Sequence, residues 1–135
     1  AIRSQEITNN VSLVSSYQKV RDEMTERQRQ MTENSSVVMD GRDIGTTVLP
    51  NADVKIFLIA SVDQRAIRRF KENKVQGSSA TLDDIKKEIV ARDYKDSHRL
   101  ISPLRKADDA IEIDTSNLTV DQVVNKILKI VKTRA

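Results

Sequence analysis

The residues best suited to chemistry in this sequence are arginines set beside acids. Arg42 and Asp43 are adjacent and lie between Gly41 and Gly45 in the run Asp40-Gly41-Arg42-Asp43-Ile44-Gly45-Thr46. Arg92, Asp96 and Arg99 recur at intervals of four and three, which puts all three on one side of a helix. Arg65, Arg68 and Arg69 form a third group, also with the spacing of one helix face. A guanidinium fork matches phosphate oxygens and keeps its proton, so such clusters suit the recognition of a polyanion. A solvated helix ladder, with Asp96 pairing to both flanking arginines at about 0.3–0.5 kcal/mol each, explains the same spacing. On the residues alone both readings stand.

The acid Asp40 closes the apolar run Val37-Val38-Met39. At the carboxyl end of a buried parallel strand, an acid stands where open α/β folds bind ligands, and there it could hold a magnesium-bound water. As a plain turn cap it needs no such role. Glycines on both sides of Arg42 and Asp43 would let the backbone approach a ligand closely. Ser12 and Arg21 flank the junction between a first helical stretch and a longer helix, and each in isolation reads as structural. His98, among charges beside Arg99, reads as a solvated side chain.

The exclusions are as informative. The chain of 135 residues has one His and no Cys, so a thiolate nucleophile, a Cys-ligated zinc and a multi-histidine metal site are out of reach. With three Gly, no GxxxxGK[ST] or GxGxxG phosphate cradle can be written. The formal net charge of +3 is too small to mark a nucleic-acid binder. No apolar run approaches the roughly 20 residues that span a bilayer, and the start of the chain lacks a signal peptide's apolar core. A cytoplasmic protein is expected.

Certain elements must position these residues. Residues 1–15 read as short helical pieces, and Tyr17 to Met31 as a polar helix with a thin apolar edge, ended by Asn34-Ser35-Ser36. Val37–Met39 has the pattern of a short strand buried on both faces, followed by a loop over 41–53. Val54–Ala60 is the clearest strand. Ser61 with Gln64 makes a capping box for a helix to about Glu72, and Thr81 with Asp84 caps the next, with Ile85, Ile89 and Val90 as its apolar edge. Ala110–Asp114 is a third strand, and Thr119 with Gln122 caps a last helix striped by Val123, Val124, Ile127, Ile130 and Val131. Strand, helix, strand, helix with buried strands argues for an α/β fold with a parallel sheet covered on both faces. Three strands make a thin sheet, so the chain reads as a portion of such a domain.

The runs VVMDGRDIGTTVLPNADVKIFLIAS, RAIRRF, ARDYKDSHR and SPLRKADDAIEIDTSNLT together resemble the bacterial cytidylate kinases, a family of P-loop nucleoside-monophosphate kinases. The upstream stretch IRSQEITNNVSLVSSYQKVR is similar to that family's CMP-binding region. The likeness is collinear from about Ile2 to Val131. It implies a three-layer α/β/α fold with a parallel sheet, incomplete in this chain. The implied activity is transfer of the γ-phosphoryl of ATP to CMP or dCMP, with Mg²⁺, by a monomer that needs neither nucleic acid nor membrane. It implies the end of the CMP-binding region over 1–16, core over 17–62, lid and flanking helices over 63–99, and core again over 100–135.

Carried over residue by residue, the resemblance implies that Ser12 and Arg21 contact the sugar and base of CMP, and Arg42 and Asp43 its phosphate and cytosine. Arg92 and Asp96 fall near the ribose and phosphates, and Arg99 at another arginine on the CMP side. Arg42, Arg68, Arg92 and Arg99 take the catalytic roles. Arg68 matches a lid arginine that swings toward the ATP phosphates, with Arg65 and Arg69 beside it. Asp40 resembles the acid that related kinases place near magnesium in an Asp-Gly-x-Pro-Arg segment, although here Arg42 follows the glycine directly. The family's leading strand and GxxxxGK[ST] loop have no counterpart in this sequence, so a C-terminal portion without the ATP-phosphate cradle is expected, inactive or nearly so by itself.

The composition suits that reaction. A phosphate monoester has its second pKa near 6, so the acceptor oxygen is already ionised and needs no general base. Arginines and a divalent cation supply what remains, alignment and neutralisation of charge. Two alternatives use the same residues: a nucleotide-binding fragment without activity, and a basic nucleic-acid-binding module. Against the second stand only four aromatic residues, Tyr17, Phe57, Phe70 and Tyr94, with no stacking platform among them.

Overall fold

A computed structural model describes residues 4–134. The first three residues of the expected CMP-binding stretch therefore lie outside the described residues. The elements are α1 (Gln5–Val14), α2 (Gln18–Gln30), a π-helix (Ile44–Val48), β1 (Ile56–Ile59), α3 (Val62–Val75), α4 (Leu82–His98), β2 (Ile111–Asp114) and α5 (Val120–Arg134). The chain divides into two compact units, one of residues 1–51 with 94–105 and the other of 52–93 with 106–135.

In the first unit, the N-terminal residues form one continuous helix rather than short pieces. Ser4 caps it by accepting the Ile7 N–H. α2 ends at Gln30, and turns over 31–34 lead into the Asn-Ser-Ser run expected to stop it. The loop expected over 41–53 contains the π-helix, in which the Thr47 and Val48 amides both donate to the Asp43 carbonyl.

The strand expected at Val37–Met39 does not form. Val38 is fully exposed and Val37 is also exposed. A short apolar run becomes a strand only where a neighbour accepts and donates its ladder hydrogen bonds, and among the described residues none reaches it. Asp40 consequently stands at the end of an irregular exposed segment and not at a sheet edge.

The second unit holds the sheet. β1 and β2 pair in parallel, with Ile56 opposite Ile111 and Ile59 opposite Asp114. The sheet therefore has two strands among the described residues, not three. This is an α/β arrangement in which the parallel pair is joined by α3, α4 and the segment after them. Its buried apolar residues are Ala66 on α3, Ile85 on α4, Ile113 on β2 and Ala107.

The caps read from the sequence are present. Ser61 accepts the Gln64 N–H, but its own N–H donates to Ser116 and not to Gln64, so the box is half made. Thr81 accepts from Asp84. Thr119 and Gln122 make both arms of the box that starts α5. On the expected stripe of α5, Val123, Ile127 and Ile130 are half-buried while Val124 and Val131 are exposed, and Val90 on α4 is likewise exposed. No helix among the described residues is long and apolar enough to cross a membrane.

Candidate functional site

The first unit gathers most of the residues singled out from the sequence around one buried carboxylate. Asp96, near the end of α4, is 1% exposed. Its Oδ1 accepts the Ser12 hydroxyl from α1 at 3.0 Å, and its Oδ2 pairs with Arg42 Nε at 2.5 Å. Arg99 Nη1 lies 3.6 Å from Oδ1. A charge so far from water is tolerable only when paired and hydrogen-bonded, and here cations from two segments and a hydroxyl from a third do so.

A second acid sits beside the first. Asp43, buried at the N-terminal boundary of the π-helix, pairs with Arg21 of α2, which also donates to the Ser15 carbonyl at 3.0 Å. Gly41 is packed against Ile44. A Cβ on it would come within 2.9 Å of Ile44 Cγ1, so the glycine lets the chain fold back on the start of the π-helix.

Arg99 Nε donates to the Ser102 carbonyl at 2.6 Å, and Ser102 takes a left-handed backbone (φ 47) that presents this oxygen. Burial and the nearby Arg21 and Arg42 charges push the Arg99 guanidinium below the usual arginine range, while Asp96 and Asp43 push it back up. Three arginines thus share two carboxylates, a net +1 in a mostly buried cluster. An incoming anion would relieve the repulsion that Arg99 feels.

The other arginines singled out from the sequence fall in the second unit. Arg92 is half-buried on α4 and belongs to the second unit. Arg65 makes a two-pronged pair with Asp93, at 3.0 and 2.6 Å, and donates to the Ala60 carbonyl at the end of β1. Arg68 donates to both the hydroxyl and the carbonyl of Thr115, just beyond β2, and the Thr115 hydroxyl donates to the Ile59 carbonyl at 3.0 Å. Two of the three α3 arginines are therefore committed to the carboxyl ends of the strands and to α4; Arg69 is half-buried on the same helix.

His98 stacks on Tyr94 at 4.0 Å between ring centroids and is exposed, a solvated aromatic pair. Among the described residues no group of three or more His, Cys, Asp or Glu side chains is gathered to hold a metal ion.

Two positions escaped the reading of the sequence. Arg29 of α2 donates from Nε to the Val48 carbonyl and from Nη2 to the Thr47 carbonyl, both at 2.8 Å. Thr115, 7% exposed, receives Arg68. For Arg29 the available signal was its place on the same helix as Arg21, eight residues on; for Thr115 it was a hydroxyl directly after a strand.

Comparison with known proteins bears on the whole chain. A family model described as cytidylate kinase matches residues 1–133. The cytidylate kinase of Ligilactobacillus salivarius is 59% identical over 133 residues, covering 98% of this chain and 59% of the relative. That of Leuconostoc mesenteroides is 60% identical over 131 residues, covering 97% and 58%. That of Bacillus licheniformis is 57% identical over 135 residues, covering 100% and 60%. The chain spans about three-fifths of the length of these relatives.

Proposed function

Because this chain belongs to the cytidylate kinase family, we propose that it carries the monophosphate-binding side of a kinase that transfers the γ-phosphoryl of ATP to CMP or dCMP. The observation that carries this reading is the shared Asp96, which holds Ser12, Arg42 and Arg99 around one buried point next to the Arg21–Asp43 pair.

In this reading Asp43 accepts from the amino group of cytosine and Arg21 donates to its carbonyl edge. The Ser12 hydroxyl and Asp96 turn to the ribose. Arg42 and Arg99 exchange part of their hold on Asp96 for the CMP phosphate, whose two negative charges a pair of guanidiniums can receive through paired N–H donors. Arg92 joins them by family resemblance, and Arg65, Arg68 and Arg69 serve the ATP phosphates from a lid within 63–99. The fold is the three-layer P-loop kinase arrangement, acting as a cytoplasmic monomer.

No side chain has to remove a proton, since the acceptor oxygen is ionised at neutral pH. The work of the protein is to hold two polyanions in line and spread the charge of the moving phosphoryl group over fixed donors. Magnesium, when bound, would supply neutralisation of the phosphate charge. It keeps several waters and needs only one or two carboxylates, so the exposed Asp40 would hold it through a water.

The test is a coupled assay on the longer protein with ATP, Mg²⁺ and CMP. CDP formation with CMP and dCMP preferred over UMP is expected, and failure to form CDP at any enzyme concentration would sink the reading.

A further inference from the structure

We infer that Arg29 is a positioning residue of the monophosphate site, acting through the π-helix and not by touching substrate; the inference rests on the reading of the Asp43–Asp96 cluster given above. The last carbonyls of any helix lack partners within it. In this five-residue π-helix two of the carbonyls at its C-terminal end, Thr47 and Val48, are both taken by the Arg29 guanidinium.

The amides of those same two residues donate to the Asp43 carbonyl at 2.9 and 3.2 Å. One peptide group, the Thr47 carbonyl with the Val48 N–H, therefore connects Arg29 to the backbone of Asp43, whose side chain Arg21 holds from the same helix, and the next, the Val48 carbonyl with the Leu49 N–H, connects it to the Ile44 carbonyl at 2.7 Å. α2 thus grips the π-helix at both ends, by a carboxylate at the start and by two carbonyls at the finish. Arg21 and Arg29 stand about 12 Å apart along the axis of α2.

A π-helix is a rare conformation that is frequent at functional sites. Its hydrogen bonds inside the segment are few, so the external clamp decides where Asp43 and the adjacent Arg42 sit. Arg29 itself is on an exposed helix face, and its replacement leaves no hole in a core.

The experiment compares the longer wild-type protein with Arg29→Gln and Arg29→Lys. Hydrogen exchange of the peptide spanning 43–49, KM for CMP and KM for ATP are measured together. Arg29→Gln is expected to speed exchange over 43–49 and raise KM for CMP about tenfold, with KM for ATP within about twofold of wild type. Lysine, with one ammonium for two carbonyls, is expected to restore part of both. Unchanged exchange would overturn the clamp. Faster exchange with KM for CMP unchanged, or with both KM values raised alike, would overturn the positioning role. A wild-type protein that forms no CDP overturns the functional reading and the positioning role with it, while the exchange data still decide whether Arg29 holds the π-helix.

Discussion

Replacing Asp96 by Asn keeps the shape of the side chain and removes the charge that Arg42 and Arg99 share. What remains is three arginines around one acid, Asp43, which is already paired with Arg21. Removing one partner of a fully buried ion pair costs about 3–5 kcal/mol. That range has to be reduced here, because the Arg42 side chain is 44% exposed and Arg99 is 3.6 Å from the carboxylate rather than in direct contact. The Arg99 side chain is only 10% exposed, so its loss is little screened. We expect about 2–3 kcal/mol. With a urea slope of about 1.5 kcal/mol/M, the unfolding midpoint followed by helical circular dichroism falls by roughly 1.5 M. The Arg42→Gln variant leaves the buried Asp96 its Ser12 hydrogen bond and Arg99, and is expected to cost less, about 1–2 kcal/mol. Added inorganic phosphate should recover more stability in Asp96→Asn than in wild type, since it returns an anion to the three arginines. A loss below about 1 kcal/mol in Asp96→Asn, or an equal loss in Arg42→Gln, would refute the account of Asp96 as the charge on which the cluster depends.

Three further outcomes can be checked. Asp43→Ala should relax the preference for CMP over UMP in the longer enzyme, and an unchanged ratio of kcat/KM would count against base reading by this carboxylate. Thr115→Val, nearly isosteric, should cost about 1 kcal/mol in chemical denaturation by losing the Ile59 carbonyl contact and one Arg68 acceptor. The hydrogen bond from Lys55 holds the Asp109 carboxyl below the ordinary carboxylate range. Its folded pKa is thus the lower one, so the stabilisation is present above the unfolded value and is lost as pH falls through the folded one. A melting-temperature profile over the acid range should be shallower in Asp109→Asn, and identical profiles would remove that pair from the acid response.

The elements that could be read from the sequence are those whose causes are local. Ser61, Thr81 and Thr119 act on amides three residues away, and β1 is a continuous apolar run while β2 alternates Ile with acids, patterns that mark strands by themselves. Val37–Met39 carries the same apolar pattern yet is no strand, because a ladder requires a neighbour that the run itself cannot encode. In the site, the spacing of Asp96 and Arg99 and the adjacency of Arg42 and Asp43 were visible. Which acid would hold which arginine was not: Arg42 pairs with distant Asp96 and not with its neighbour Asp43, which takes Arg21 instead. Arg29 was invisible for a related reason. Its partners are main-chain carbonyls, which every residue has, so only its place eight residues after Arg21 sets it apart from Arg27, which merely pairs with Glu23 along the exposed helix.

The parallel pair of strands has a consequence for handling the protein. A sheet of two strands has no interior strand, so among the described residues β1 and β2 each have one edge that pairs with no further strand, and Leu58 on β1 is exposed. Such a margin is a template for any extended chain that meets it. In dilute solution water satisfies it. As concentration rises, turbidity with growing β-sheet signal is expected before any loss of helix, and a solution that stays clear would show that margin covered.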